Sequence, residues 1–251
     1  LGGGTHSIDS MEPTAELDAY RPGADSLNRI LSDNTHGGNN DIISVGDGNN
    51  VVIGGLGRDE LQSGDHDDVV FGDNADITYN LGTIDKATSS DTGTGDGDTI
   101  NAGSGVNFVF GGQADDEITT RAGVDYVVGD NGQAGFYASG AIEFLRSTVT
   151  EGGEDYITTA ESRDFVIAGS VDDIVGTGSD DADDVVLADF GQIDFAENGL
   201  VTRAISTDAM SEFNGDDQVY AQEGYDVIIG GGGNDRLVAG ADDSLDTKRD
   251  I

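Results

Sequence analysis

The sequence predicts an all-β protein, a flattened coil of short strands interrupted by β-hairpins. Three observations predict it. A polar residue, mostly Asp, recurs every nine positions; an aliphatic residue stands two places after each; and the pattern itself recurs in longer blocks. Self-similarity at a fixed period marks an array whose units bury apolar faces against their neighbours.

The nine-residue step is clearest at Gly54-Gly55-Leu56-Gly57-Arg58-Asp59-Glu60-Leu61-Gln62, which follows G-G-x-G-x-D-x-U-x with U a large aliphatic. Stepping by nine from Asp59 reaches Asp41, Asn50 and Asp68. A second run holds Asp98, Asn107, Asp116 and Asp125. A third holds Asp155, Asp164 and Asp173, with Asp184 after a two-residue insertion. A fourth holds Asp217, Asp226 and Asp235, with Asp250 after a longer one. The residues at +2 form a separate check. They are Ile43, Val52, Leu61, Val70, Ile100, Val109, Ile118, Val127, Ile157, Val166, Val175, Val186, Val219, Ile228 and Leu237, aliphatic without exception. One inward aliphatic per nine residues describes one side of a flattened coil. The triplet around it is a short strand, and Gly-rich corners supply the φ > 0 turns.

The blocks are joined by hairpins. Each run ends in a similar phrase: Val70-Phe71-Gly72-Asp73-Asn74, Val127-Val128-Gly129-Asp130-Asn131, Val186-Leu187-Ala188-Asp189-Phe190. Two alternating stretches then flank a turn such as Glu197-Asn198-Gly199, a hairpin signature. The resulting partition is a continuous array. Residues 1–36 form an N-terminal hairpin and loop segment. Coil runs occupy 37–75, 93–132, 151–189 and 215–251, and hairpin insertions occupy 76–92, 133–150 and 190–214. Within the first segment, Ser26 to Asp33 resembles a second hairpin strand. Ile8 falls where a hairpin begins, and a short helix is expected around Ala15 to Tyr20. Asp250-Ile251 opens the phrase that Asp68-Val69 opens, and Leu1-Gly2-Gly3 resembles Phe71-Gly72-Asp73. The segment thus reads as about one period of a longer array or fibre. It starts at Leu1 and shows no signal peptide, so it reads as a fragment or processed product.

Composition narrows the function. There are 11 Lys and Arg against 50 Asp and Glu, a formal net charge of -39, which repels phosphate and argues against nucleic-acid binding. No apolar run reaches the length of a membrane span. The absence of Cys removes disulfides, thiolate metal sites and Cys nucleophiles. No Gly-Lys-Ser/Thr follows the glycine loops, so they are not phosphate cradles. Asp91-Thr92-Gly93 matches a protease tripeptide but reads as a loop. His6, His36 and His66 have no second His close by in sequence, as a zinc site requires. No enzyme activity is expected. The aromatics Tyr79, Phe108, Tyr126, Phe136, Phe165, Phe195, Phe213 and Tyr225 read as packing residues rather than a sugar-stacking platform.

Two units per turn place Asp41 under Asp59 and Asn50 under Asp68. Stacked carboxylates repel by ~1 kcal/mol per pair even in bulk water, and by more in drier surroundings. One aliphatic per nine residues offsets little of this, so a cation must lie between the loops. The donors are carboxylate and carbonyl oxygens, a set that suits several Ca²⁺ ions better than Mg²⁺.

These residues are those of a known repeat. The sequence resembles the hemolysin-type calcium-binding (RTX) nonapeptide repeat family, in the degenerate form found in very large secreted or surface proteins. The resemblance implies a parallel β-roll, an elongated β-solenoid here carrying repeated hairpins, with Ca²⁺ between successive loops on the same side. It implies as ligands the carboxylates of Asp41, Asp59, Asp68, Asp98, Asp116, Asp125, Asp155, Asp164, Asp173, Asp217, Asp226 and Asp235. Loop carbonyls, such as those around Gly55, Gly57, Gly231 and Gly233, would complete the shells. Asn50 and Asn107 supply neutral oxygens and mark weaker or empty sites, and Arg121, Glu161, Ser162 and Arg163 interrupt their loops. The expected role is a Ca²⁺-folded structural module of a large extracellular protein: a spacer, a matrix element or a head-to-tail fibre of identical copies. An adhesin segment binding a glycan or cell surface, or the secretion tail of an exported enzyme, are the alternatives. The resemblance also implies type I secretion.

Overall fold

The computed structural model describes residues 6–8, 27–32, 38–148, 151–207 and 214–240. Every regular element among them is a β-strand, and the strands form two eight-stranded parallel sheets and one seven-stranded antiparallel sheet. The expected helix around Ala15 to Tyr20 lies outside the described residues, as do Leu1–Gly3, Phe213 and Asp250–Ile251.

The nine-residue step explains the parallel sheets. Consecutive units enter them alternately. Ile42–Ser44 and Glu60–Gln62 pair in one sheet, with Ile43 beside Leu61. Val51–Ile53 and Val69–Phe71 pair in the other, with Val52 beside Val70. A hairpin insertion lengthens the step without disturbing the register. Leu61 stands beside Ile100 and Val70 beside Val109, just as Ile100 stands beside Ile118 with no hairpin between. The turn geometry absorbs the extra chain because the hairpin leaves and re-enters at one corner.

The +2 aliphatics meet between the two parallel sheets. Val52, Val70, Val109, Val127, Val166 and Val186 face Leu61, Ile100, Ile118, Ile157, Val175 and Val219 in one buried cluster. Burying a Val or Leu contributes about 1.5–3 kcal/mol, so this stripe is the fold's first apolar reserve.

A second core lies on the other side of the middle sheet. Its strands are apolar at all three positions, as in Val51–Ile53, Val69–Phe71 and Val185–Leu187, and all three residues are buried. The outer parallel sheet instead alternates, as in Glu60–Gln62 and Glu117–Thr119, with only the central residue buried. Double-sided burial requires a cover, and the hairpins provide it. They do not project separately. The strands of the pairs Ala75–Asn80 with Thr83–Ser89, Gly132–Phe136 with Ile142–Ser147, and Gly191–Phe195 with Val201–Ser206 join edge to edge in the antiparallel sheet. Ala87 sits beside Ala134, and Leu145 beside Ile193.

Aromatic rings fill this second core. Phe71 stacks on Phe110 at 4.4 Å, Phe108 on Tyr126 at 4.7 Å, and Tyr126 on Phe165 at 5.0 Å. Phe136 and Phe195 from the hairpins meet this row edge-on. The packing expectation for these residues therefore holds. Tyr225 departs from it, with half its surface exposed.

The N-terminal segment divides between the layers. Arg29–Leu31 pairs antiparallel with the first hairpin, Ile30 beside Ile77, where a preceding hairpin's second strand would lie. The Arg29 guanidinium fixes it by two bonds to Asp76, at 2.7 and 3.0 Å. Ile8 does not open a hairpin as the sequence suggested. His6–Ile8 pairs parallel with Val51–Ile53 and extends the middle parallel sheet. A three-residue strand carries no alternation by which the two fates could be told apart.

Candidate metal centre

The nine-residue Asp positions form two ladders, one along each edge of the parallel sheets. On the first, the Asp41 N–H donates to Asp59 Oδ1 at 2.7 Å, Asp59 N–H to Asp98 at 2.7 Å, and Asp98 N–H to Asp116 at 2.7 Å. Asp116 continues to Asp155, Asp155 to Asp173, Asp173 to Asp217 and Asp217 to Asp235. On the second edge the same bond runs from Asn50 to Asp68, Asn107, Asp125, Asp164, Asp184 and Asp226. The stacking of Asp41 on Asp59 and Asn50 on Asp68 is as the spacing predicts. Asp184 belongs to the second ladder as well, with Oδ1 taking the Asp164 N–H at 2.8 Å.

The first edge is the glycine edge. Gly55 and Gly57, four and two places before Asp59, have φ of +103° and +117°. The same offsets are left-handed at Gly112 and Ala114, at Gly169 and Val171, and at Gly231 and Gly233. Five places before Asp59, Asp116 and Asp235 stands another glycine, and its missing side chain is where the second carboxylate oxygen goes. A Cβ on Gly111 would stand 2.0 Å from the Gly129 carbonyl oxygen and 2.4 Å from Asp116 Oδ2. A Cβ on Gly54 would meet the Gly72 carbonyl at 2.2 Å and Asp59 Oδ2 at 2.5 Å. Carboxylate and carbonyl oxygens therefore converge, with no donor between them.

The consequence is a row of uncompensated acceptors. Oδ2 of Asp98, Asp116, Asp155, Asp173 and Asp217 is buried with no hydrogen-bond partner, and these residues are at most 2% exposed. Burial pushes the Asp98 carboxyl up to about 9. Asp116, Asp155 and Asp173 rise well above the ordinary carboxylate range, by burial first and by neighbouring carboxylates second. A buried anion without a partner is costly, and a bound cation removes that cost.

A divalent cation that prefers oxygen fits this edge. Among the described residues no group of three or more His, Asp or Glu side chains converges in metal-binding geometry. Carboxylates on this edge would therefore share the ion with backbone carbonyls. That mixed, flexible oxygen set suits Ca²⁺.

A family model of the RTX calcium-binding nonapeptide repeat matches four times, at residues 37–68, 44–76, 92–127 and 213–245. The chain carries RTX calcium-binding repeats. No curated protein and no solved structure matched it. The ladders continue beyond the matched residues: Asp155 and Asp173 extend that of the matched Asp98 and Asp116, and Asp164 extends that of the matched Asp125.

Of the sequence-derived site residues, Asp59, Asp98, Asp116, Asp155, Asp173 and Asp217 stand buried on the glycine edge, with Asp41 and Asp235 half-buried at its two ends. Asp68, Asp125, Asp164 and Asp226 stand on the other edge, where Oδ2 of Asp68, Asp125 and Asp164 is likewise buried without a hydrogen-bond partner. Three aspartates escaped the sequence reading: Asp73, Asp130 and Asp189. They sit at the corners where the hairpins leave and are at most 3% exposed. Each binds loop N–H groups of the glycine edge. Asp73 Oδ2 takes the Gln113 N–H at 2.6 Å, Asp130 Oδ2 that of Ser170 at 2.7 Å, and Asp189 Oδ2 that of Gly232 at 2.6 Å. Burial pushes Asp73 up to about 8. The signal was present: Asp73, Asp130 and Asp189 hold the same place in the repeated phrase that closes each run.

Proposed function

We propose that the segment is a calcium-stiffened structural module, a β-roll solenoid carrying a covering sheet of hairpins, in an extracellular protein. The observation that carries this reading is the row of buried, uncompensated carboxylates at successive rungs of both edges. Such a row opposes folding until a cation joins each pair of loops, so binding and folding share one free energy. RTX repeats are typical of secreted proteins, where Ca²⁺ is plentiful, and export by a type I system accords with that setting. The module's role is that of a spacer or matrix element. Adjacent repeats, or further copies of the chain, are the expected neighbours, because Arg29–Leu31 already docks on the first hairpin as each hairpin docks on the next.

The test is circular dichroism with light scattering during a Ca²⁺ titration after EDTA treatment, with Mg²⁺ as control. Strand signal should rise cooperatively with Ca²⁺ and not with Mg²⁺. A concurrent rise in scattering would select a fibre over an isolated spacer. A chain fully folded in EDTA would remove the calcium reading.

A further inference from the structure

We infer that Asp73, Asp130 and Asp189, the aspartates at the hairpin corners, are positioning residues for calcium: each holds the loops whose oxygens would take an ion, and so sets how tightly that ion is kept. This rests on the calcium reading above and adds residues that the nine-residue repeat does not contain.

The first observation is where their bonds go. Asp130 Oδ1 accepts the Gly153 N–H at 3.0 Å, and Oδ2 accepts the Ser170 N–H at 2.7 Å and the Ser170 hydroxyl at 2.9 Å. Gly153 stands two places before Asp155 and Ser170 three places before Asp173, and these two aspartates are consecutive rungs of one ladder. Asp189 repeats the arrangement. Its Oδ1 accepts the Gly215 N–H at 3.3 Å and its Oδ2 that of Gly232 at 2.6 Å, two and three places before the consecutive rungs Asp217 and Asp235. Asp73 Oδ2 accepts the Gln113 N–H at 2.6 Å, three places before Asp116. Its Oδ1 has no hydrogen-bond partner. A Cβ on Gly95, three places before Asp98, would still stand 1.9 Å from Asp73 Oδ2. All three carboxylates therefore lie between two consecutive loops, the gap that an ion would also span.

The second observation is loop shape. Gly112, Gly169 and Gly231, four places before Asp116, Asp173 and Asp235, have φ of +126°, +138° and +83°. The N–H that follows each of them is the one bound by the corner carboxylate. The approach is close. A Cβ would stand 2.4 Å from Asp73 Oδ2 on Gly112, 2.3 Å from Asp130 Oδ2 on Gly169, and 2.3 Å from Asp189 Oδ2 on Gly231. Glycine is required there by the corner aspartate as well as by the turn.

The third observation is what lies beside the corner. Asp155 Oδ2 and the Ala168 carbonyl oxygen would each be 2.2 Å from a Cβ on Gly129, the residue before Asp130. Asp98 Oδ2 and the Gly111 carbonyl oxygen stand in the same way over Gly72, before Asp73. Neither of those carboxylate oxygens has a hydrogen-bond partner. The loops that Asp130 holds carry both members of the first pair, since Asp155 follows Gly153 by two residues and Ala168 precedes Ser170 by two. Releasing either loop would let the two oxygens drift apart. The oxygens of Asp130 are already taken by three donors, so it acts through the loops and not as a ligand.

The test compares Asp130→Asn with Leu145→Ala in the full chain. Leu145 is buried in the second hairpin, so its truncation loosens that hairpin and leaves the corner carboxylate in place. Ca²⁺ per chain is measured by elemental analysis after dialysis against buffered Ca²⁺, and Ca²⁺ release by stopped-flow mixing with a fluorescent chelator. Circular dichroism in saturating Ca²⁺ checks that each variant is folded. In Asp130→Asn an N–H₂ group faces one of the loop N–H groups. That variant should lose an ion, or hold at least one roughly 10–100-fold more weakly. Leu145→Ala should keep the wild-type count and release rates although its denaturation midpoint falls. Should Asp130→Asn fail to fold, Ser170→Ala decides, because it removes only the hydroxyl donation; release of at least one ion should quicken. Wild-type counts and release rates in the deciding variant overturn the positioning role. Losses in Leu145→Ala equal to those in the deciding variant also overturn it, since the effect is then one of general stability. Both results leave the calcium reading intact. A wild type that binds no Ca²⁺ overturns both.

Discussion

Asp130 Oδ2 accepts the backbone N–H of Ser170 at 2.7 Å, across forty residues of chain. The same oxygen takes the Ser170 hydroxyl at 2.9 Å, and Oδ1 takes the Gly153 N–H at 3.0 Å. One carboxylate thus ties the corner where a hairpin departs to the loop where it returns and to the loop of the next turn.

Replacing Asp130 with Ala should therefore loosen the second hairpin more than the coil beneath it. Leaving buried N–H groups unsatisfied costs about 1–3 kcal/mol. Hydrogen exchange should show faster opening at Gly132–Ser147 while Phe108–Gly112 stays protected. Uniform loosening of both would argue that the clamp is not local.

Glycine requirements differ by position. Gly111→Ala would drive a methyl group to 2.0 Å from a carbonyl oxygen that cannot move aside, and the cost should reach about 1–3 kcal/mol or more. Gly176→Ala meets nothing within 4 Å and should be neutral or gain about 0.5–1 kcal/mol by restricting the unfolded chain. Denaturation midpoints in saturating Ca²⁺ measure both.

The inward stripe should dominate core stability. Ile157 is 0% exposed, and Ile157→Ala should cost roughly 2–5 kcal/mol. Ile42, at 80% exposed on the outer face, should tolerate Ala within about 0.5 kcal/mol. Chemical denaturation of the two variants separates the faces, and comparable losses would contradict the assignment of inside and outside.

Acidification should stabilise the metal-free chain. The carboxyls of Asp98, Asp73, Asp164 and Asp125 rise to about 9, 8, 8 and 7 in the fold, against a model-peptide value of 3.8. Between about pH 4 and pH 9 the folded state therefore binds more protons than the unfolded one, and stability falls as pH rises. In EDTA, the denaturation midpoint should be higher near pH 5 than near pH 8. The reverse order would mean the buried carboxylates are already compensated without metal.

Asn107→Asp removes two amide donations and sets a carboxylate beside Asp125. The variant should lose about 1–3 kcal/mol in EDTA, read as a lower melting midpoint. An unchanged midpoint would show that the amide bonds of the second edge contribute nothing.

The repeat was legible because its physics is local. An aliphatic every nine residues can be buried only if successive units face one another, so the stripe of Val52, Leu61 and Val70 follows from spacing alone. The carboxylate at each step follows too, since Asp and Gly suit tight corners. Even the second core had a trace in the sequence: Val51-Val52-Ile53 and Val69-Val70-Phe71 are apolar throughout, whereas Glu60-Leu61-Gln62 is not.

Tertiary structure decided what each carboxylate faces. Asp116 and Asp125 occupy the same phase of the same repeat, yet Oδ2 of Asp116 lies over Gly111 while Oδ1 of Asp125 takes the Asn107 side-chain amide. Spacing fixes that a residue returns to an edge; it does not fix which atoms of the neighbouring turn meet it there. The joining of three hairpins into one sheet was likewise beyond the sequence, because strand pairing between hairpins depends on the rise of the coil that carries them. The roles of Asp73, Asp130 and Asp189 followed from the same cause, since their partners are 23 to 43 residues away and become neighbours only when the turns are stacked.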